Sequence, residues 1–211
     1  VMKSLNYSKK NIENINKYSE MVDHNFVTTH PSVIKKQKIK IKNLHFLFIP
    51  VDKNIECFDV SKKHPIKDLF YAMSHGVNRA TLKKGKNDSR IHFLNNLIKK
   101  LENIDYDFYG FQNKEPIWGN EFYKALIGSK MGLNLSRGLP TKYYSSNRIA
   151  SLMGNGLLTF VDRKTQLGDI FKKNEIIFYD SIEDLSKKIK FYKKNDNIRK
   201  KIASNGKRKY F

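Results

Sequence analysis

From residue 68 to the end of the chain, runs of four or five apolar residues alternate with longer stretches of helical period. This alternation restricts the fold more than any other feature. Runs that short are unlike helices and, alternating with helical stretches, suit the strands of a parallel sheet with crossover helices. Residues 69–73 form the first. A polar loop follows to residue 89, and Asp88 or Ser89 then caps a helix whose Ile91, Leu94, Leu97, Ile98 and Leu101 share one face. Ile104, Tyr106 and Phe108 alternate as a second strand, and Asn120 caps a helix carrying Phe122, Ala125 and Leu126. Met131, Leu133 and Leu135 make a third strand. A stripe of Ile149, Leu152 and Met153 stops at Gly154 or Gly156. Residues 157–161 and 176–179 read as the fourth and fifth strands, with a short helix over 165–171 between them. Ser181 with Asp184 resembles a capping box opening a helix lined by Ile182, Leu185 and Ile189. A last helix runs from Asn197 to about Asn205-Gly206. Five β-α units of this kind predict an α/β fold, an open parallel sheet with helices on both faces. Ahead of it, 25–29 and 44–51 read as strands, a short helix follows Pro31, and 52–66 is polar without a period, as a linker is.

Composition narrows the function classes. A hydrophobic fraction of 39% supplies a core, which excludes wholesale disorder. No apolar run approaches the roughly 18–20 residues of a membrane span. The first twenty residues are polar, without the apolar core of a signal peptide, and the single Cys57 excludes a disulfide framework. The expected address is the cytoplasm. The 41 Lys+Arg against 20 Asp+Glu give a net charge of +21. Most of that is lysine spread along the whole chain, as on a solvated lysine-rich surface. A basic face for nucleic acid or an anionic membrane is the other reading of the same number.

The arginines are distributed differently. In open parallel sheets ligands bind beyond the carboxyl ends of the strands, where loops enter helix N-termini. Arg79 and Arg90 follow the first strand of the regular region, Arg137 the third, Arg148 opens the next helix, and Arg163 follows the fourth. Guanidinium forks match phosphate oxygens bidentately, so this edge is expected to take a phosphate-bearing ligand. Two loops are richest. One holds Gly76, Asn78 and Arg79. The other holds Arg137, Lys142, Tyr144, Ser145, Ser146, Asn147 and Arg148, and ends at a helix start with more capping residues than one cap needs. Neither is a GxGxxG fingerprint or a P-loop. The six histidines show no metal-ligand spacing, no GxSxG elbow is present, and no metal site or bound cofactor is expected. Trp118 lies beside Pro116 and Gly119, where packing within the loop is its commoner fate and stacking on a base the alternative.

Tyr144-Ser145-Ser146-Asn147-Arg148-Ile149, followed by Met153-Gly154-Asn155-Gly156-Leu157-Leu158-Thr159, resembles the donor half of GT-B glycosyltransferases. It is most similar to group 1 domains related to the spore-maturation glycosyltransferase-like proteins. Glu175-Ile176-Ile177-Phe178-Tyr179-Asp180 and Ile202-Ala203-Ser204-Asn205-Gly206 fit the same pattern, and Phe48-Ile49-Pro50-Val51-Asp52 looks like the hinge between two Rossmann-like halves. The resemblance implies that 67–211 is a Rossmann-like nucleotide-sugar (donor) domain. It makes 1–51 the end of an acceptor-side domain and 52–66 the linker. It implies transfer of a sugar from a nucleotide-sugar, a substrate and not a cofactor, to an unknown acceptor without an obligatory metal. Arg79 and Arg148, with Arg137 and Lys142, would offset the charge of the leaving diphosphate. The family commonly places a glutamate, which holds the donor's ribose hydroxyls, where this chain has Ser151. Two further readings are kept. One is a non-catalytic nucleic-acid-binding α/β protein, although specific nucleic-acid recognition is not expected; the other is an inactive donor-domain scaffold. About fifty residues before the hinge are too few for a whole acceptor half, so a fragment that binds nucleotide without transferring sugar is expected.

Overall fold

The computed structural model describes residues 9–36, 39–74, 81–82, 86–136, 139–144 and 146–211. The chain opens with α1 (Lys9–Ser19), then β1 (Asn25–Val27), α2 (Pro31–Lys35) and β2 (Leu44–Phe46). β1 and β2 pair in parallel, Asn25 opposite Leu44. Residues 47–66 carry a single 3-10 turn, Val60–Lys62. After β3 (Lys67–Ala72) come β4 (Thr81–Leu82) and β5 (Lys86–Asn87), a small antiparallel ladder. The sequence pattern reads that stretch as plain loop, because two-residue strands have no period to detect. Next are α3 (Ser89–Ile98), β6 (Tyr106–Tyr109), α4 (Gly119–Ile127), β7 (Ser129–Asn134), α5 (Asn147–Gly154), β8 (Leu158–Asp162), β9 (Ile177–Tyr179), α6 (Ile182–Lys194) and α7 (Asp196–Tyr210).

The α/β expectation holds. β6, β3, β7, β8 and β9 form one parallel sheet in that order. Side-chain alternation decides which helix covers which face. Leu69, Tyr71, Met131, Leu133, Leu158, Phe160, Ile177 and Tyr179 pack with Leu94 and Leu97 of α3 and with Leu185 and Ile189 of α6. Phe70 and Ala72 point the other way, onto Leu126 of α4 and Leu152 of α5. Val161 and Phe178 meet Ile149 and Met153 on that same side. Strands buried on both faces must be apolar throughout, and this is the source of the short uninterrupted runs. Each fully buried Leu or Phe contributes about 1.5–3 kcal/mol, so the sheet is the stable part of the molecule.

Local signals are partly redistributed. Asp88 caps α3, its Oδ1 accepting from Arg90 N at 3.0 Å, and Ser181 caps α6 through Asp184 N at 3.2 Å. α4 begins one residue before Asn120, with Trp118 at its N-cap. The helix expected over 165–171 is two 3-10 turns, Arg163–Thr165 and Leu167–Asp169, separated by Gln166 at φ +54°. α7 runs through Asn205-Gly206 to Tyr210 and does not stop there. Its last turn brings Tyr210 against Phe48 and Phe171, with ring centroids 5.5 and 5.7 Å away, and the Tyr210 hydroxyl donates to Ile49 O at 2.8 Å. The segment after β2 is thereby fixed to the far end of the chain.

Candidate functional site

The crossover from β3 through α3 to β6 leaves the sheet on one side, and the return through α4 reaches β7 on the other. The order of strands therefore reverses between β3 and β7, where open α/β sheets form a crevice at their carboxyl ends. Arg148, in the first turn of α5, fills that crevice. Its Nε donates to Ala72 O at 2.9 Å and its Nη1 to Leu135 O at 3.2 Å, so one guanidinium ties the ends of both strands. Its carbon lies 4.8 Å from the Tyr71 ring centroid, a cation–π distance. Among the described residues no carboxylate pairs with it. The charge stays uncompensated, with N–H groups to spare.

α5 adds a second source of positive potential. Ser146 occupies the N-cap without capping: its Oγ donates to Asn134 Oδ1 at 3.2 Å, and among the described residues no side chain accepts from the first turn. Ile149 N is spent on Ser146 O at 2.9 Å, but among the described residues nothing accepts from the N–H groups of Asn147 and Arg148, and the helix dipole favours a negative acceptor there. Asn147 is exposed beside them, and the Nδ2 of buried Asn134 has no hydrogen-bond partner among the described residues.

The remaining residues singled out from the sequence fall in several places. Arg90 is 6% exposed and gripped by Asp88, Nε to Oδ1 at 3.0 Å and Nη2 to Oδ2 at 2.5 Å. Burial opposes its charge, Asp88 outweighs burial, and the guanidinium is held above its ordinary value. It borders a cavity of about 160 Å³ with Ser136, Asp162 and Tyr179. Arg163 is paired with Asp180 at 2.6 Å. Lys142 lies 3.9 Å from Asp169 and 4.9 Å from the Tyr143 ring, near His30, whose imidazole is lowered by burial and by Lys142. Tyr144 is half-buried, its N–H on Thr141 O at 3.0 Å. Gly76, Asn78, Arg79, Arg137 and Ser145 lie outside the described residues. Trp118 is 62% exposed rather than packed into its loop.

Ser151, one turn into α5, is 8% exposed and borders a larger cavity of about 470 Å³ that begins at Asn147. Its opposite wall is the segment from Ile49 to Glu56, and Tyr123 of α4 closes one side. Burial, and after it the Glu56 carboxylate, push the Tyr123 phenol up, while a hydrogen bond with Ser151 works the other way.

A family model described as "Glycosyl transferase-like" matches residues 86–211, more than half of the chain. The chain belongs to this family. Its fold is that of GT-B glycosyltransferases. TarM matches with a TM-score of 0.66 at 14% identity, over 96% of this chain and 43% of that one. Sucrose-phosphate synthase from Thermosynechococcus elongatus matches with 0.66 at 8%, over 99% and 59%. Anabaena Alr3699/HepE, in complex with UDP, matches with 0.63 at 9%, over 97% and 63%. The chain thus spans between 43% and 63% of the length of these structures. A comparison with curated proteins finds no match.

In this glycosyl transferase-like chain the matched region holds α5, Arg148 and Ser151, but the wall opposite them lies outside it. Sequence reading misses Glu56 and Tyr123 as site residues. Glu56 sits in a polar stretch with no period, and Tyr123 on a helix whose apolar stripe runs through other positions. Among the described residues no group of three or more His, Cys, Asp or Glu is placed to hold a metal ion. No described helix is long and apolar enough to cross a membrane.

Proposed function

We propose that this chain is the donor-binding part of a GT-B glycosyltransferase of the spore-maturation-like type, which transfers a sugar from a nucleoside-diphosphate sugar to a sugar-bearing acceptor. One observation carries the reading: Arg148, unpaired by any described carboxylate, stands at the strand-order reversal beside the uncapped start of α5, where a cavity begins. Fixed positive potential aimed at a leaving diphosphate is the form of catalysis such a site supplies, since the charge on that group grows in the transition state. Arg148 and the α5 N–H groups would carry this role, joined by Arg79 and Arg137, which follow β3 and β7 in the sequence. Arg90 is neutralised by Asp88 and is assigned to holding the start of α3. In this reading 67–211 binds the donor, 52–66 is the linker, 1–51 belongs to the acceptor side, and no metal is required.

Isothermal titration with UDP, ADP and GDP tests the reading, with UDP first because the Anabaena neighbour was crystallised with it. One nucleoside diphosphate is expected to bind at 1:1, with the monophosphate weaker. Affinity that appears only for RNA or DNA and collapses with salt would overturn it in favour of a nucleic-acid-binding protein.

A further inference from the structure

The cavity beyond the start of α5 does not share the charge of the rest of the chain. In a protein of net charge +21 its walls carry the carboxyl groups of Glu56 and Asp52, and no lysine or arginine lines it among the described residues. Glu56 is 7% exposed. One oxygen, Oε2, accepts from Asp52 N at 2.9 Å, and no described ammonium or guanidinium group pairs with the carboxylate. A buried carboxylate without a cation needs hydrogen-bond donors, and one backbone N–H leaves most of its roughly four acceptor sites unused. The same walls carry the Tyr123 and Ser151 hydroxyls together with apolar surface from Pro50 and Ile55. This combination suits a neutral ring that bears hydroxyls on its edge and C–H groups on its face. It does not suit a phosphate.

Glu56 is also held in place. Gly154 lets α5 and the segment touch: a Cβ there would lie 2.6 Å from Glu56 Cγ and 3.1 Å from Val51 Cγ1. Asn155 stitches the two together. Its Oδ1 accepts from Phe58 N at 3.1 Å, its carbonyl from Val60 N at 2.9 Å, and its Nδ2 donates to Ser151 O at 2.9 Å. The carboxylate therefore stands at a fixed position in the cavity that Ser151 and Asn147 also line.

We propose that Glu56 accepts hydrogen bonds from the adjacent hydroxyls of a vicinal diol on the bound ligand. Resting on the donor reading above, that diol belongs to the ribose of the nucleoside diphosphate, whose phosphates meet the start of α5. The sugar ring of a donor or acceptor presents the same chemistry, and the test separates the two sources. The tightest-binding of UDP, ADP and GDP is titrated against its 2′-deoxy form and against methyl glucoside, on wild-type protein, Glu56→Gln and Gly154→Ala. The wild type is expected to prefer the ribonucleotide by about tenfold or more, the scale of one hydrogen bond to a charged acceptor. Glu56→Gln, which keeps an oxygen for Asp52 N, is expected to erase most of that preference without a fall in melting temperature. Gly154→Ala removes no polar group but displaces Glu56, so it should shrink the preference too. Equal wild-type affinity for the two nucleotides, or a preference that survives Glu56→Gln, overturns the proposal while leaving the donor reading intact. A Glu56→Gln effect confined to methyl glucoside overturns the ribose assignment in favour of a sugar ring. Absence of any nucleotide binding overturns both readings.

Discussion

At the amino end of the five-stranded sheet the charges close on one another, whereas at the carboxyl end one of them, Arg148, is left open. Asp68, at the start of β3, is almost fully buried and takes Lys130 Nζ at 2.9 Å and Lys193 Nζ at 2.7 Å. Lys67 pairs with Asp105 at 2.9 Å, and fully buried Arg199 reaches Asp196 at 2.8 Å and Lys130 O at 3.1 Å. Arg148 at the opposite end is held by two carbonyls and the face of the Tyr71 ring, with no described carboxylate. A carbonyl orients a guanidinium without cancelling its charge, and a carboxylate does both. The first end is built to stay shut, and the second keeps a directed charge for something that arrives. Position at a sheet edge is therefore weak evidence for a phosphate ligand until the partner of each arginine is known. Arg90 and Arg163 sit on the predicted edge and are spent on Asp88 and Asp180.

If the closed regions are structural, the largest losses of stability should come from them. Gly206 of α7 packs so close to the chain before β9 that a Cβ would lie 2.2 Å from Glu175 O, a backbone atom with little room to move. Gly206→Ala should cost about 3 kcal/mol or more, by overpacking. A denaturant midpoint unchanged from wild type would show that α7 can shift freely. Arg148→Ala comes next, at about 2–3 kcal/mol for two charge-assisted bonds and a cation–π contact, together with weaker nucleotide binding. Chemical denaturation and calorimetry separate the two effects, and Arg148→Lys should recover charge better than geometry. Loss of affinity with no loss of stability would mean that the strand-end bonds carry no weight.

Asp68 sharpens the contrast through pH. Burial works to raise its carboxyl, but Lys193, Lys130 and the Asp105 N–H outweigh it and hold the group below the usual aspartate range. A depressed folded value means the stabilisation is complete above the unfolded value and is lost as pH falls through the folded one. Wild-type stability should therefore drop as pH falls below about 4, and Asp68→Asn should be less stable at neutral pH with a flatter acid limb. Parallel acid limbs in urea titrations would exclude Asp68 as a contributor.

Much of the fold could be read from residues because strands covered on both faces leave a signal in every position. All five strands of the sheet, and the caps at Asp88 and Ser181, follow from local pattern. The errors arise where a residue's role is set by distant contacts. Asn205-Gly206 looks like a helix end, but Gly206 is there because Glu175 O passes beside it. The helix start of α5 and Arg148 were equally legible, while their environment was not. Glu56 could not be found from pattern at all: nothing in a polar aperiodic segment says which of its carboxylates will be folded against α5.

The smallest effect bears most directly on the open end. The resemblance to GT-B donor domains implies that Ser151→Glu should tighten nucleotide binding, by placing a carboxylate where that resemblance expects one. The position of Glu56 argues for the opposite outcome. Glu56 already lines the same cavity, and two buried carboxylates sharing a site repel, so one of them takes up a proton or turns away. The single variant should bind the nucleoside diphosphate no better than wild type and up to about tenfold worse, roughly 1.4 kcal/mol. In the double variant Glu56→Gln, Ser151→Glu the repulsion is gone and one carboxylate remains, now delivered from α5. Its affinity should return toward the wild-type value and its preference for ribonucleotide over the 2′-deoxy form should reappear. Tighter binding by Ser151→Glu alone would mean that Glu56 stands too far from the ligand to matter, and that the open end relies on α5 for all of its contacts.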